Sequence, residues 1–223
     1  MNVRMYIWVT SECNLTCPYC IQRYTMDQNK GYSMSVEEIL YIVNSCRERG
    51  IHFGAIELTG GEASLWEHLE IGVQQFSKIC DRVTLATNGN NPERVIALGL
   101  DTWIVSESQA TKEQMAKYDK IRHKLTVNSH KHKKMPDHPV PNSLPSLCCT
   151  RQSPQLESQI ALEYIRGKVW YCPDAFAHTE HTGVYDEIVC DFEDDFLTKF
   201  KDKKYDQKIC QYCLGNQKIW DKL

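Results

Sequence analysis

Met5-Tyr6-Ile7-Trp8-Val9, continued by Thr10-Ser11-Glu12-Cys13-Asn14-Leu15-Thr16-Cys17-Pro18-Tyr19-Cys20, is the stretch on which the reading of this chain turns. Its first five residues are short and apolar, the pattern of a buried strand. Cys13, Cys17 and Cys20 follow directly. In parallel β/α architectures, loops after strands lie on the face where active sites are built. A loop rich in soft ligands at that place is therefore a candidate reactive centre.

Working outward, strand-like and helix-like segments alternate through residue 128. Ser35-Val36-Glu37-Glu38 reads as a capping-box start. The helix after it carries Ile39, Leu40, Ile42 and Val43 and stops at Gly50. Ala55 to Leu58 reads as a second strand, Leu65 to Ile79 as a helix, and Val83 to Ala86 as a third strand. Pro92 opens a short helix as a first-turn proline. Trp103 to Val105, Lys112 to Tyr118 and Leu125 to Val127 continue the alternation as strand, helix and strand. Repeated units of this kind build a parallel sheet with right-handed crossovers. Five strands are too few to close an eight-stranded barrel, so the expectation is an α/β fold, an open partial parallel β/α barrel.

The character then changes. Pro136, Pro139, Pro141 and Pro145 break regular structure and mark 136–147 as a linker between a barrel (1–135) and a small C-terminal unit (148–223). In that unit, Ile160 to Ile165 and Val169 to Tyr171 flank Arg166-Gly167 as a hairpin. A short helix is expected over about 192–200.

Bulk composition excludes several classes. The 223 residues are 42% hydrophobic and 25% charged, with a net charge of −3, which is ordinary for a globular protein. That balance offers no electrostatic footprint for nucleic acid. No apolar run approaches the roughly 20 residues of a membrane helix. Met1-Asn2-Val3-Arg4-Met5 carries no signal-peptide pattern, so a cytoplasmic location is expected. The 11 cysteines are an odd number, better read as metal ligands than as a disulfide framework. Cys46 and Cys80 sit on apolar helix faces and read as core residues.

Thiolates suit iron–sulfur clusters and zinc. Three of them cannot complete a four-iron cubane, and one iron would stay open to an outside ligand. The C-x3-C-x2-C spacing of Cys13, Cys17 and Cys20 after the first strand resembles the signature of the radical S-adenosylmethionine (radical SAM) superfamily. Tyr19 fits the aromatic position before the third cysteine. Thr59-Gly60-Gly61-Glu62 follows the second strand, and Thr87-Asn88-Gly89 ends the third. The resemblance implies a 4Fe–4S cluster on Cys13, Cys17 and Cys20. It also implies SAM held by Tyr19, Gly60, Gly61, Glu62 and Asn88, with Ser106 near the ribose or carboxylate. Reductive cleavage of SAM would then give a 5′-deoxyadenosyl radical that abstracts a hydrogen atom from a substrate.

A second constellation comprises Cys148-Cys149, Cys172 after Gly167, and the terminal pair Cys210 and Cys213. It resembles the twitch domain, the short form of the SPASM extension, and implies an auxiliary 4Fe–4S cluster on Cys149, Cys172, Cys210 and Cys213. Cys148 or Cys190 remain alternatives for one ligand. Such a cluster favours net oxidation or modification of a small molecule or peptide, with flavodoxin or ferredoxin as reductant. No catalytic base stands out. His130-Lys131-His132-Lys133-Lys134 reads as a solvated basic loop at the same face, and Glu57 as a residue of the barrel interior or of an edge. A glycyl-radical-enzyme activase and a non-catalytic module with two zinc sites are the competing readings.

Overall fold

The computed structural model describes residues 2–17, 20, 30–104, 110–127, 159–171 and 189–201. In chain order these form β1 (Asn2–Thr10), α1 (Val36–Glu48), β2 (Ala55–Gly60), a 3-10 turn (Ala63–Leu65) and α2 (Leu69–Phe76). Then come β3 (Val83–Thr87), α3 (Pro92–Leu98), β4 (Asp101–Ile104), α4 (Lys112–Lys117) with a 3-10 segment (Tyr118–Lys124), and β5 (Leu125–Val127). The tail contributes β6 (Gln159–Ile165), β7 (Lys168–Trp170), β8 (Val189–Asp191) and α5 (Phe196–Lys201).

The strands make one open sheet in the order β5-β4-β3-β2-β1-β6-β7-β8. All five expected strands of the first half pair in parallel. The tail hairpin extends this sheet: β6 runs parallel to β1, with Met5 opposite Leu162 and Ile7 opposite Tyr164. Only β7 and β8 add antiparallel edges. β1 is thus a central strand, paired on both sides. The proline-rich stretch 136–147, and with it the division into two units, lies outside the described residues.

Strand alternation sorts the two faces. Met5, Ile7 and Val9 join Ile56, Leu58, Leu85 and Leu162 against Ile39, Ile42, Val43, Leu69, Phe76 and Val95. Each such side chain contributes about 2 kcal/mol on burial, which makes β1 the anchor of the core. Cys46 and Cys80 lie in this core, as read. Burial pushes their thiols up, to about 12 and about 11. The opposite face of β1 carries Arg4, Tyr6 and Trp8. Trp8 packs there with Ile165 and Trp170 in a second apolar cluster.

Three local expectations change. Ser35 caps α1, accepting from the Glu38 amide at 3.2 Å. The Glu38 carboxylate instead receives the hydroxyls of Tyr32 and Tyr164, because tertiary donors outcompete the local return bond. The complete capping box is at Thr111 and Gln114. The helix expected over 65–79 breaks into a 3-10 turn and α2, because Trp66 is extended there, at φ −61° and ψ 124°. Its indole N–H donates to the Met34 carbonyl at 2.9 Å. Its ring lies where a side chain at Gly72 would be, 2.5 Å from the ideal Cβ. The terminal helix starts at Phe196. Residues 192–195 form a turn between β8 (Val189–Asp191) and this helix, fastened by the Asp194 amide donating to the Asp191 carbonyl at 3.1 Å. Arg166 (φ 49°) and Gly167 (φ 79°) make the β6–β7 turn with two left-handed residues, the geometry that matches hairpin twist.

Among the described residues, no helix is long and apolar enough to cross a membrane.

Candidate active site

The exits of β1, β2 and β3 meet at one end of the sheet, and hydrogen bonds tie them together. The first tie is backbone to backbone. The Gly61 amide donates to the Thr10 carbonyl at 2.7 Å, and the Glu62 amide to the Glu12 carbonyl at 2.6 Å. This approach needs glycine. A Cβ on Gly61 would lie 2.1 Å from the Glu12 oxygen, and one on Gly60 would lie 2.3 Å from the Thr10 oxygen and from the Trp8 ring. Gly60 also has φ +139°, a conformation closed to most side chains. The sequence assigned these glycines to a ligand's approach; in the structure Gly61 admits the loop leading into Cys13, and Gly60 the end of β1.

The second tie is a buried carboxylate. Glu62, 2% exposed, accepts from the Ser64 amide at 3.0 Å, the Thr87 hydroxyl at 2.6 Å and the Asn88 amide at 2.6 Å. The third joins β3 to the cysteine loop: the Asn88 side-chain amide donates to Asn14 Oδ1 at 2.7 Å. Glu12, Asn14 and Thr87 are members of this assembly that the sequence did not single out. Asn14 lies within the cysteine spacing, and Thr87 within the Thr-Asn-Gly stretch, so position was the available signal.

Cys13, Cys17 and Cys20 are of intermediate exposure and form no disulfide. The Cys20 amide donates to the Cys17 carbonyl at 3.2 Å, turning the loop between them. Burial pushes the Cys13 thiol up, and Glu62 and Cys17 add to this. A backbone bond at Leu15 and a side-chain bond with Asn88 oppose it. Among the described residues, no three His, Cys, Asp or Glu side chains are gathered into a set that could hold a metal ion.

Tyr19, Ser106, Cys148, Cys149, Cys172, Cys210, Cys213 and the 130–134 basic run lie outside the described residues. Cys190 is buried in β8, with its thiol facing the Val169 carbonyl.

Glu57 is an interior residue of the sheet, on the face turned away from the helices. Tyr6 stands between Glu57 and Glu163 in register, and both carboxylates are 5% exposed. Burial pushes Glu57 up to about 6, opposed by Arg4 at 4.0 Å and by Thr84.

The model of the radical SAM superfamily matches residues 8–126, more than half of the chain. The chain belongs to the radical SAM superfamily. Its open parallel sheet is the partial barrel of that superfamily. The fold is shared with the crystal structure of BtrN in complex with AdoMet and 2-DOIA, at a TM-score of 0.54 and 17% identity, covering 79% of this chain and 75% of that one. GTP 3′,8-cyclase of Clostridium perfringens (strain 13 / Type A) is 34% identical over 86 residues, 37% of this chain and 26% of the relative. The enzyme of that name from Syntrophomonas wolfei is 35% identical over 88 residues, 38% and 26% respectively. The matched stretch spans about a quarter of these relatives. Radical SAM enzymes work with a 4Fe–4S cluster and SAM. The donor chemistry here fits such a cluster: three thiols on a loop, with no imidazole or carboxylate among them.

Proposed function

We propose that Cys13, Cys17 and Cys20 ligate a 4Fe–4S cluster with one open iron. Tyr19, Gly60, Gly61, Glu62, Asn88 and Ser106 form the SAM-binding surface. When bound, the cluster and SAM supply a 5′-deoxyadenosyl radical by reductive cleavage, which abstracts a hydrogen atom from a small-molecule or peptide substrate. The observation that carries this reading is the hydrogen-bonded meeting of the cysteine loop with Gly61, Glu62 and Asn88 at one sheet end.

In this reading each residue has a physical task. Gly60 and Gly61 keep the β2 exit against the cysteine loop. Glu62 accepts three hydrogen bonds, whereas a carboxylate offers about four acceptor directions. The remaining direction receives an ammonium group by a charge-assisted bond. Asn88 holds Asn14, and through it the loop. The opposite sheet face, with Arg4, Tyr6, Glu57 and Thr84, lines the substrate side.

The finer assignment is a dehydrogenase-like or peptide-modifying oxidoreductase, cytoplasmic, reduced by a flavodoxin or ferredoxin. Residues 148–223 form its twitch-like unit, with an auxiliary 4Fe–4S cluster on Cys149, Cys172, Cys210 and Cys213.

Anaerobic reconstitution tests both levels. The expected result is about eight irons and as many sulfides per chain, and 5′-deoxyadenosine from SAM and dithionite. Cys13→Ala abolishes the nucleoside product. About four irons with activity retained removes the auxiliary cluster alone. Zinc without sulfide, and no 5′-deoxyadenosine, overturns the whole reading.

A further inference from the structure

The cysteine loop has a return as well as an exit, and its return is fastened to the tail. After residues 21–29 the chain comes back beside β1. The Ser11 amide donates to the Tyr32 carbonyl at 2.8 Å, joined by the Ser11 hydroxyl at 3.2 Å. The Met34 amide donates to the Val9 carbonyl at 2.8 Å, and Thr10 and Ser33 form an antiparallel bridge. Tyr32 is therefore the clasp that closes the loop.

The side chain of Tyr32 is held from two directions. Its hydroxyl donates to Glu38 Oε1 at 3.1 Å. The hydroxyl of Tyr164, from β6, donates to the same oxygen at 2.8 Å. The Arg166 guanidinium, from the β6–β7 turn, lies 5.5 Å from the centre of the Tyr32 ring. Burial, followed by the charge of Glu38, pushes both phenols well above their ordinary range, so both remain donors at any working pH. Tyr164 is further seated edge-on against Phe192, 5.3 Å between ring centres.

We infer that Tyr32, Glu38 and Tyr164 are positioning residues for the cysteine loop, and that they couple its geometry to the C-terminal hairpin. This rests on the proposed cluster site. The clasp sits on the side of β1 opposite to Gly61 and Glu62, so the loop is held from both sides. A positioned ligand loop fixes the relation between the open iron and SAM, and losing a hydrogen bond to the Glu38 carboxylate relaxes it.

The test uses the full chain, reconstituted anaerobically with iron and sulfide and titrated with SAM. Tyr32→Phe and Tyr164→Phe each remove one oxygen and keep the ring, so the chain still folds and its iron content stays as in the wild type. The expected result is a shifted electron-resonance spectrum of the reduced cluster, with about fivefold more SAM needed for the SAM-dependent spectral change. Glu38→Gln, which keeps one acceptor oxygen for both hydroxyls, gives a smaller shift than Glu38→Leu, which keeps none. Unchanged spectra and unchanged SAM titrations in both phenylalanine variants overturn the inference while the proposed function stands. A wild-type chain that takes up no cluster overturns the proposed function and the inference with it.

Discussion

β2 and β6 flank the same strand, yet they hold its cysteine-bearing exit by opposite means. On the β2 side the contact is close and rigid. Gly61 and Glu62 bond backbone to backbone with Thr10 and Glu12, and a buried carboxylate locks β3 into the same assembly. On the β6 side, residues 32–34 also bond backbone to backbone with Val9 and Ser11, but their link to β6 itself is long-armed. Two tyrosine hydroxyls converge on one carboxylate of α1. The β2 side leaves no room for an added atom, whereas the link to β6 runs through side chains. The two sides should therefore differ in how much a single change costs.

The largest effect is expected from Gly61→Ala, where the new methyl would meet the Glu12 and Ser11 backbone at 2.1 to 2.7 Å. Backbone cannot rotate away as a side chain does. A loss of about 3 kcal/mol, read from urea unfolding, is expected. A loss below about 1 kcal/mol would show that the β2 side yields as readily as the β6 side.

Next comes Glu62→Gln. Its amide nitrogen would face one of the donors now bound, Thr87 or Asn88, so a donor meets a donor in a buried place. About 2.5 kcal/mol of stability is expected to go. An unfolding midpoint within error of the wild type would remove Glu62 from the tie between β2 and β3.

The third prediction separates the two sides by pH. Glu57 on β2 is buried and pushed up to about 6, from an ordinary 4.5. The folded chain therefore favours its protonated form. Its contribution to stability is fully present below pH 4.5 and is lost as the pH rises through about 6. The stability of the wild type relative to Glu57→Gln should fall by roughly 2 kcal/mol between about pH 4 and about pH 7. A difference that stays flat or rises over that interval would place the carboxylate in a solvated or fully paired setting.

The smallest effect belongs to the β6 side. Tyr164→Phe removes one hydroxyl, and Glu38 keeps the Tyr32 hydroxyl. The cost is expected near 1 kcal/mol, measured by thermal unfolding. A cost equal to that of Gly61→Ala would erase the contrast between the two flanks.

Much of this arrangement was legible along the chain. The β/α alternation placed β1 to β5, because half-buried and fully buried strands carry their pattern locally. The Arg166-Gly167 turn was readable for the same reason, since left-handed residues are a local demand. Cys13, Cys17 and Cys20, Gly60 to Glu62 and Asn88 were singled out by their resemblance to radical SAM motifs, and the structure joins Gly61, Glu62 and Asn88 to the loop of Cys13 by hydrogen bonds. What failed was whatever another part of the chain decides. Glu38 fits a local capping box, but Tyr32 and Tyr164 take its carboxylate. Residues 65–79 read as one helix, but the Met34 carbonyl draws the Trp66 indole and breaks it.

Neighbours along the chain specified the units: strand, cysteine loop, helix and turn. Tertiary structure decided that β6 pairs with β1, that Gly61 faces the cysteine loop, and that the tail reaches back to the loop's return. Local pattern encodes which face of a strand is apolar. It does not encode which distant edge will supply the missing hydrogen bonds, since backbone donors and acceptors are the same at every residue.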